Sequence, residues 1–410
     1  MPKVFLSFLG NAQYIDCVYY DENSQKESGV VSFVQEAFLN LYCREWTEQD
    51  RIHIFLTQDA EAKNWASLKE KIEALGIKAQ NLPIKQMPEG YNTEQFWRIF
   101  SIINETIQDG DEIYLDVTNA FRSIPIFVSV LLDYVKLLKS NIKIAKITYG
   151  AFEKLGPAYL LKELPPSDRK APMIDVVSLV ELQSWTTAAR AFLNSGDADL
   201  LADMMPLHRK ELGDNLMVFT QSILTCRGSD LIKKLDIDKL KDDIVSLNRG
   251  TGIEAQLSHI LRKVEQKLDT FQSQTTLNGF AAVDWCIQNG LIQQGYTFLE
   301  ETCKSYVIEK VLGLAFIDRD DIREAAKVVL NRVPPSAWNN KVNRTEAFKF
   351  QTFVNTNIPD LIRPYRKMTG QGGLRNDINH CGHGSNPKTP QALKNDLEKL
   401  YFDIKTVLSS

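Results

Sequence analysis

Residues 112–128 read EIYLDVTNAFRSIPIFV, and the way this stretch changes period decides the fold. Glu112 to Val117 is a short apolar run that suits a buried strand, whereas the residues from Ile124 to about 139 carry a helical pattern. Between the two, Ser123 is a candidate N-cap, and Pro125 is tolerated in a first helical turn whose N–H groups lack internal partners. A strand that runs straight into a helix is the building unit of an α/β fold. Thr118, Asn119 and Arg122 stand at the turn beside those free N–H groups, which makes the loop suited to a phosphate. The plainer alternative is a capped turn whose arginine forms a surface ion pair.

The same alternation extends outward in both directions. Val4 to Leu9, Ile52 to Thr57, Lys78 to Leu82 and Ile144 to Tyr149 also read as strands, with helices near 32–43, 62–75, 93–108 and 124–139. This order predicts a mostly parallel, doubly wound, Rossmann-like sheet. Such sheets bind ligands outside the carboxyl ends of their strands, where strand order reverses. A second strand end with suitable residues is Leu9-Gly10-Asn11-Ala12, in which the glycine lets the backbone approach a ligand. No GxGxxG follows any strand, which excludes a nicotinamide dinucleotide. Asp16 to Val31 reads as an inserted hairpin turning at Asp21-Glu22-Asn23-Ser24.

Beyond Tyr149 the character changes. Gly156-Pro157 and the run from Pro165 to Pro172 mark a boundary or hinge, and everything after it is helical in period, with no alternating strand pattern. The stripes Val176, Val177, Leu179, Val180, Leu182 and Leu393, Leu397, Leu400, Ile404 are core faces. The predicted division is an α/β domain over 1–172, a helical connecting region over 173–280 and an all-α domain over 281–410.

The last domain carries GGLRNDINHCGHG, residues 372–384. Within it Arg375, Asn376 and His380 combine the parts of a metal-free ribonuclease. An imidazole can take the proton of a ribose 2′-OH or give one to a leaving 5′-oxygen. A guanidinium can neutralise the phosphate between them, and the Asn376 amide can hold either in register. One histidine cannot be acid and base at once. Five residues of helix also turn the side chain by about 140°, so Arg375 and His380 do not share a face of an isolated helix. A second copy across a two-fold axis supplies what is missing. Between Lys341 and His380 stand seven Lys/Arg and three Asp/Glu, a local net of +4 in a chain whose total is −4, which suits a polyanionic substrate. The alternatives are a solvated surface turn and a zinc site at His380, Cys381 and His383, which has no second Cys/His pair nearby. His53, His208 and His259 read as structural.

Composition fits a soluble globular protein of two or three domains, with no apolar run long enough to cross a membrane and no signal peptide, and therefore predicts a cytoplasmic chain. The six cysteines have no CxxC spacing, and they read as reduced thiols packed as small hydrophobes.

Taken together, DVTNAFRSIP leaving strand four, YGAFE after strand five, and a helical C-terminus bearing Arg-Asn-x-x-x-His resemble one architecture. It is that of the type III CRISPR-associated accessory ribonucleases of the Csx/Csm type, with a CARF sensor domain and a HEPN nuclease domain. The resemblance implies a CARF domain over 1–172 and a HEPN domain over 281–410. It implies an endoribonuclease switched on by cyclic oligoadenylate, with the tetra-adenylate ring as the expected activator, and needing no metal or other cofactor. Gly10, Asn11, Thr118, Asn119, Arg122 and Ser123 would line the activator site, and Arg375, Asn376 and His380 would cut single-stranded RNA at a composite site between two copies. The implied partners are the cyclic activator, RNA and a second copy in a homodimer or higher oligomer, without membrane contact or stable association with the interference complex. Two other readings compete: a regulator that senses a nucleotide without cutting RNA, and a sensor that also cleaves its own cyclic ligand.

Overall fold

A computed structural model describes residues 1–119, 124–161, 163–206, 209–246, 253–370, 373–383 and 386–409. The chain divides into two compact units, Met1–Glu181 and Leu182–Ser410. The first is a mixed α/β sheet unit and the second is helical.

The first unit holds strands β1 (Lys3–Phe8), β2 (Cys17–Asp21), β3 (Glu27–Val31), β4 (Arg51–Phe55), β5 (Gln80–Asn81), β6 (Glu112–Asp116), β7 (Lys143–Gly150) and β8 (Lys170–Asp175). Their order across one eight-stranded sheet is β3-β2-β8-β7-β6-β1-β4-β5. All neighbours are parallel except β2 with β3 and β7 with β8. The helices are α1 (Val34–Tyr42), α2 (Gln58–Ala60) leading through a π-helical turn (Glu61–Trp65) into α3 (Ala66–Ala74), then α4 (Thr93–Thr106), α5 (Ile124–Leu138) and the short α6 (Ala158–Leu161).

The period of two along β1 builds a core on each face of the sheet. Phe5 packs with Ala37 and Phe38 of α1 and with Leu68 and Ile72 of α3. Val4, Leu6 and Phe8 point the other way, against Ile99 and Ile103 of α4 and Val128, Leu131 and Val135 of α5. Each such side chain stabilises the unit by about 1.5–3 kcal/mol, so the double winding follows from the sequence pattern. The hairpin expected from Asp16 to Val31 forms as β2 and β3, with Asp21 Oδ1 accepting from the N–H of Asn23 at 2.9 Å and of Ser24 at 2.7 Å in the turn.

Two expectations are corrected. The run read as a hinge enters β8, an internal strand between β2 and β7, so the expected edge at 172 falls inside a strand. Pro172 disguised it: proline lacks the N–H, yet its carbonyl still accepts from the Ala151 N–H at 2.9 Å.

The second correction concerns residues 173–280, which form no separate connector. Helix α7 (Val177–Ser195) opens the helical region, followed by α8 (Asp199–Asp203), α9 (Lys210–Leu224), α10 (Gly228–Lys233), α11 (Ile237–Ser246), α12 (Ile253–Lys267) and α13 (Leu277–Gln288). Then come α14 (Ile292–Leu312), α15 (Asp320–Leu330), α16 (Arg344–Asn357), α17 (Ile362–Thr369), α18 (Leu374–Asn379) and α19 (Pro390–Ser409). One buried cluster runs from Trp185 to Ile404. At its centre Trp285 meets the rings of Phe192, Phe219 and Phe271 at 5.5, 5.1 and 6.0 Å, all three from the segment expected to be a connector.

Gly279 lets α13 and α14 approach closely, because a Cβ there would overlap the Thr302 side chain. Alanine favours a helix by about 1 kcal/mol over glycine, but overpacking costs about 1–3 kcal/mol and wins. Gly279→Ala is therefore expected to lower the thermal midpoint by several degrees, which scanning calorimetry reads directly. Among the described residues no helix is long and apolar enough to cross a membrane.

Candidate functional site

Two regions carry the residues singled out by sequence, one in each compact unit. In the sheet unit the chain leaves β1 for the β2–β3 hairpin at the far edge, then places β4 and β5 on one side of β1 and later β6 and β7 on the other. Strand order therefore reverses between β1 and β6, and the two segments expected to line a ligand follow those two strands. A side chain at Gly10 would meet Asn119 at 3.4 Å and the Tyr14 hydroxyl at 2.9 Å, so the structure does bring Gly10 and Asn119 together. The Gly10 N–H donates to the Tyr14 hydroxyl at 2.9 Å, and burial pushes that phenol up to about 12. Asn119 Nδ2 is buried and has no partner among the described residues. Asn11 is exposed, while Arg122 and Ser123 lie outside the described residues.

A cavity of about 150 Å³ opens here, with Tyr14, Tyr19, Phe152, Ser32, Thr118 and Asn119 in its walls. Beneath it Asp116 is fully buried, and burial pushes its carboxyl above the ordinary value even though Ser7 and Thr118 donate to it. Sequence reasoning missed Asn64, whose amide donates to the carbonyls of Gly10 at 2.9 Å and Ala12 at 3.0 Å. Asn64 sits in the π-helical turn, a local widening often found at functional sites and invisible to a count of helical periods.

In the helical unit Arg375 and Asn376 lie in the first turn of α18, and His380 caps its C-terminal end. The His380 N–H donates to the Asn376 carbonyl at 3.0 Å, and the Gly382 N–H to that of Asp377 at 3.0 Å. Cys381 and Gly382, at φ 53° and 71°, then turn the chain away in a left-handed conformation that closes the helix. Asn376 and His380 are exposed, as is His383, while Arg375 is half-buried.

Arg375 Nη1 donates to Glu300 Oε2 on α14 in an ion pair, while its Nε is buried without a partner among the described residues. Lys304 joins Glu300 at 3.2 Å to Glu301 at 2.6 Å, and Arg323 also pairs with Glu301. Burial pushes the Glu301 carboxyl up, but the charges of Lys304 and Arg323 outweigh it and hold it below its ordinary value. A cavity of about 780 Å³ lies against this network, with Arg375, Lys304, Arg323, Lys327 and Lys341 contributing its cations.

The structure therefore places Arg375, Asn376 and His380 on one short element. Among the described residues no hydrogen bond joins the arginine and the histidine. The element offers an exposed imidazole, which can donate or take a proton, and an anchored guanidinium, which can pair with a phosphate. Among the described residues no three His, Cys, Asp or Glu side chains gather as a metal-binding group. Glu300 and Lys304 were missed, although charges beside Phe298, Val307 and Ile308 on a buried helix were a readable signal. Of the histidines read as structural, His53 is buried with Nδ1 at 3.0 Å from the Leu82 carbonyl, His259 is exposed on α12, and His208 lies outside the described residues.

Residues 181–280 match the family model described as CRISPR-associated protein MJ1674, second domain. The chain is similar to the CRISPR-associated protein MJ1674 of Methanocaldococcus jannaschii, at 26% identity over 238 residues, which is 54% of this chain and 34% of that protein. It thus matches about a third of that relative's length. These matches support a CRISPR-associated protein. The family model falls within the segment expected from sequence to be a helical connecting region.

Proposed function

We propose that this chain is an endoribonuclease of type III CRISPR defence, activated by cyclic oligoadenylate, that cuts single-stranded RNA without metal at a site composed by two copies. The observation that carries the reading is α18, where exposed Asn376 and His380 accompany a guanidinium anchored by Glu300. In each cleavage the ribose 2′-oxygen attacks phosphorus, the bond to the 5′-oxygen breaks, and the 2′ proton is lost as the 5′-oxygen gains one. His380 of one copy takes the first proton and the same residue of the other copy supplies the second. Arg375 balances the charge that builds on the phosphate. In the sheet unit, the reversal point between β1 and β6 supports an activator site over Gly10, Asn11, Thr118 and Asn119, with Arg122 and Ser123 next in sequence.

This chemistry leaves a 2′,3′-cyclic phosphate and a 5′-hydroxyl. Mass spectrometry of cut RNA tests it: those ends support the reading, whereas 5′-phosphate ends require hydrolysis by water and contradict it.

One observation favours the non-cutting regulator. Arg375 already has a carboxylate partner in Glu300, so the pair can be read as a structural brace. That reading gains ground if the protein binds a cyclic oligoadenylate and cuts no RNA in its presence.

A further inference from the structure

We propose that Asp116 is a positioning residue of the sensor site, and that Thr118 serves as its structural arm while Asn119 carries the recognising donor. The inference rests on the sensor reading and changes the role that reading gives Thr118.

The directions of the hydrogen bonds lead to it. Ser7 Oγ on β1 accepts from Gln35 Nε2 of α1 at 3.1 Å, so its own proton goes to Asp116 Oδ2 at 2.7 Å. The same Gln35 Nε2 also reaches the Phe8 carbonyl at 2.8 Å. On the other side, Thr118 Oγ1 accepts from the Gly150 N–H at the end of β7 at 2.8 Å, so its proton goes to Asp116 Oδ1 at 2.5 Å. The Thr118 N–H donates to the same oxygen at 3.1 Å. Asp116 thus gathers every donor Thr118 has and ties β1, β6, β7 and α1 to one loop.

A phosphate accepts hydrogen bonds, and Thr118 has none left to give. The next residue does: Asn119 Nδ2 is buried, has no partner among the described residues, and belongs to a side chain lining the cavity. Among the described residues Asp116 has no cationic partner, and a buried carboxyl without one is costly. An apolar side chain would fill that space at lower cost but could not set the loop.

Binding of cyclic tetra-adenylate and cyclic hexa-adenylate to the full chain, measured by calorimetry, tests the assignment. Asp116→Asn is expected to weaken binding by about tenfold or more, with Ser7→Ala showing a smaller loss in the same direction. In a Thr118→Val background, Asp116→Asn is expected to add less than about twofold, because both act through one arm. Leu131→Ala, a core substitution in the same unit, is expected to lower the thermal midpoint yet leave affinity within about twofold, which separates positioning from stability. Where Asp116→Asn fails to fold, Ser7→Ala decides.

Undiminished binding by Asp116→Asn or, where that variant fails to fold, by Ser7→Ala overturns the positioning role and leaves the sensor intact. So do fully multiplicative losses in the double variant. Absence of binding of either ring to the wild-type chain overturns the sensor reading, and the role of Asp116 with it.

Discussion

His380→Ala is expected to remove RNA cleavage, with a rate loss of at least about 10²–10⁴-fold, while binding of the cyclic activator stays at its wild-type strength. The imidazole is exposed at the end of α18, so its loss opens no cavity, and the thermal midpoint should hold. The backbone bonds that close the helix, from the N–H groups of His380 and Gly382, do not involve the side chain. A two-copy site adds a further consequence. Mixing His380→Ala with wild type should depress activity more steeply than dilution, because each mixed pair loses one partner of the acid–base couple. Activity that falls in simple proportion to the wild-type fraction would place the whole reaction within one copy. Normal cutting by His380→Ala alone would remove α18 from the chemistry.

The second large effect lies in the other compact unit. Arg122→Ala is expected to weaken binding of the cyclic activator by about tenfold to a hundredfold, since a charge-assisted bond to phosphate contributes about 1.5–3 kcal/mol. Asn119→Ala should act in the same direction through loss of its amide, which has no partner among the described residues. Activated cutting should fall in both at limiting activator and recover at saturating activator, because the cutting residues on α18 are untouched. A fall that persists at saturation would mean that these residues govern the switch itself and not the affinity. Titration of cutting rate against activator concentration separates the two. Raising the salt concentration should narrow the gap between Arg122→Ala and wild type, as expected for a contact to a polyanion.

How much of this was legible beforehand depends on which physical signal each element carries. The switch-point strands announced themselves, because β1 and β6 are short, largely apolar runs followed closely by Gly10 and by Thr118-Asn119. The hairpin of β2 and β3 was readable from its Asp21 turn. Strand β8 was not, since six residues containing a proline look like a linker until two neighbouring strands pair with them. The unity of the helical region was hidden for a different reason. The contacts of Phe192, Phe219 and Phe271 with Trp285 join residues as many as 93 positions apart, and no local period encodes such a meeting.

The candidate sites divide in the same way. Arg375, Asn376 and His380 were visible as a motif, and the structure places them on one short element. Their support was not visible, because Glu300 lies 75 residues before Arg375 and reaches it only through the packing of α14 against α18. Asp116 was written in the same motif as Thr118, but its role depends on Ser7, Gln35 and Gly150, which three other elements deliver. Sequence shows which groups are present, whereas the direction of each hydrogen bond needs the fold.

The most direct test is cleavage of a fluorescent single-stranded RNA by the purified chain in EDTA, with and without cyclic tetra-adenylate, beside His380→Ala. The account predicts cutting that depends on the activator, survives the chelator and vanishes in the variant. RNA left intact by the wild-type chain with cyclic oligoadenylates of every ring size would contradict it.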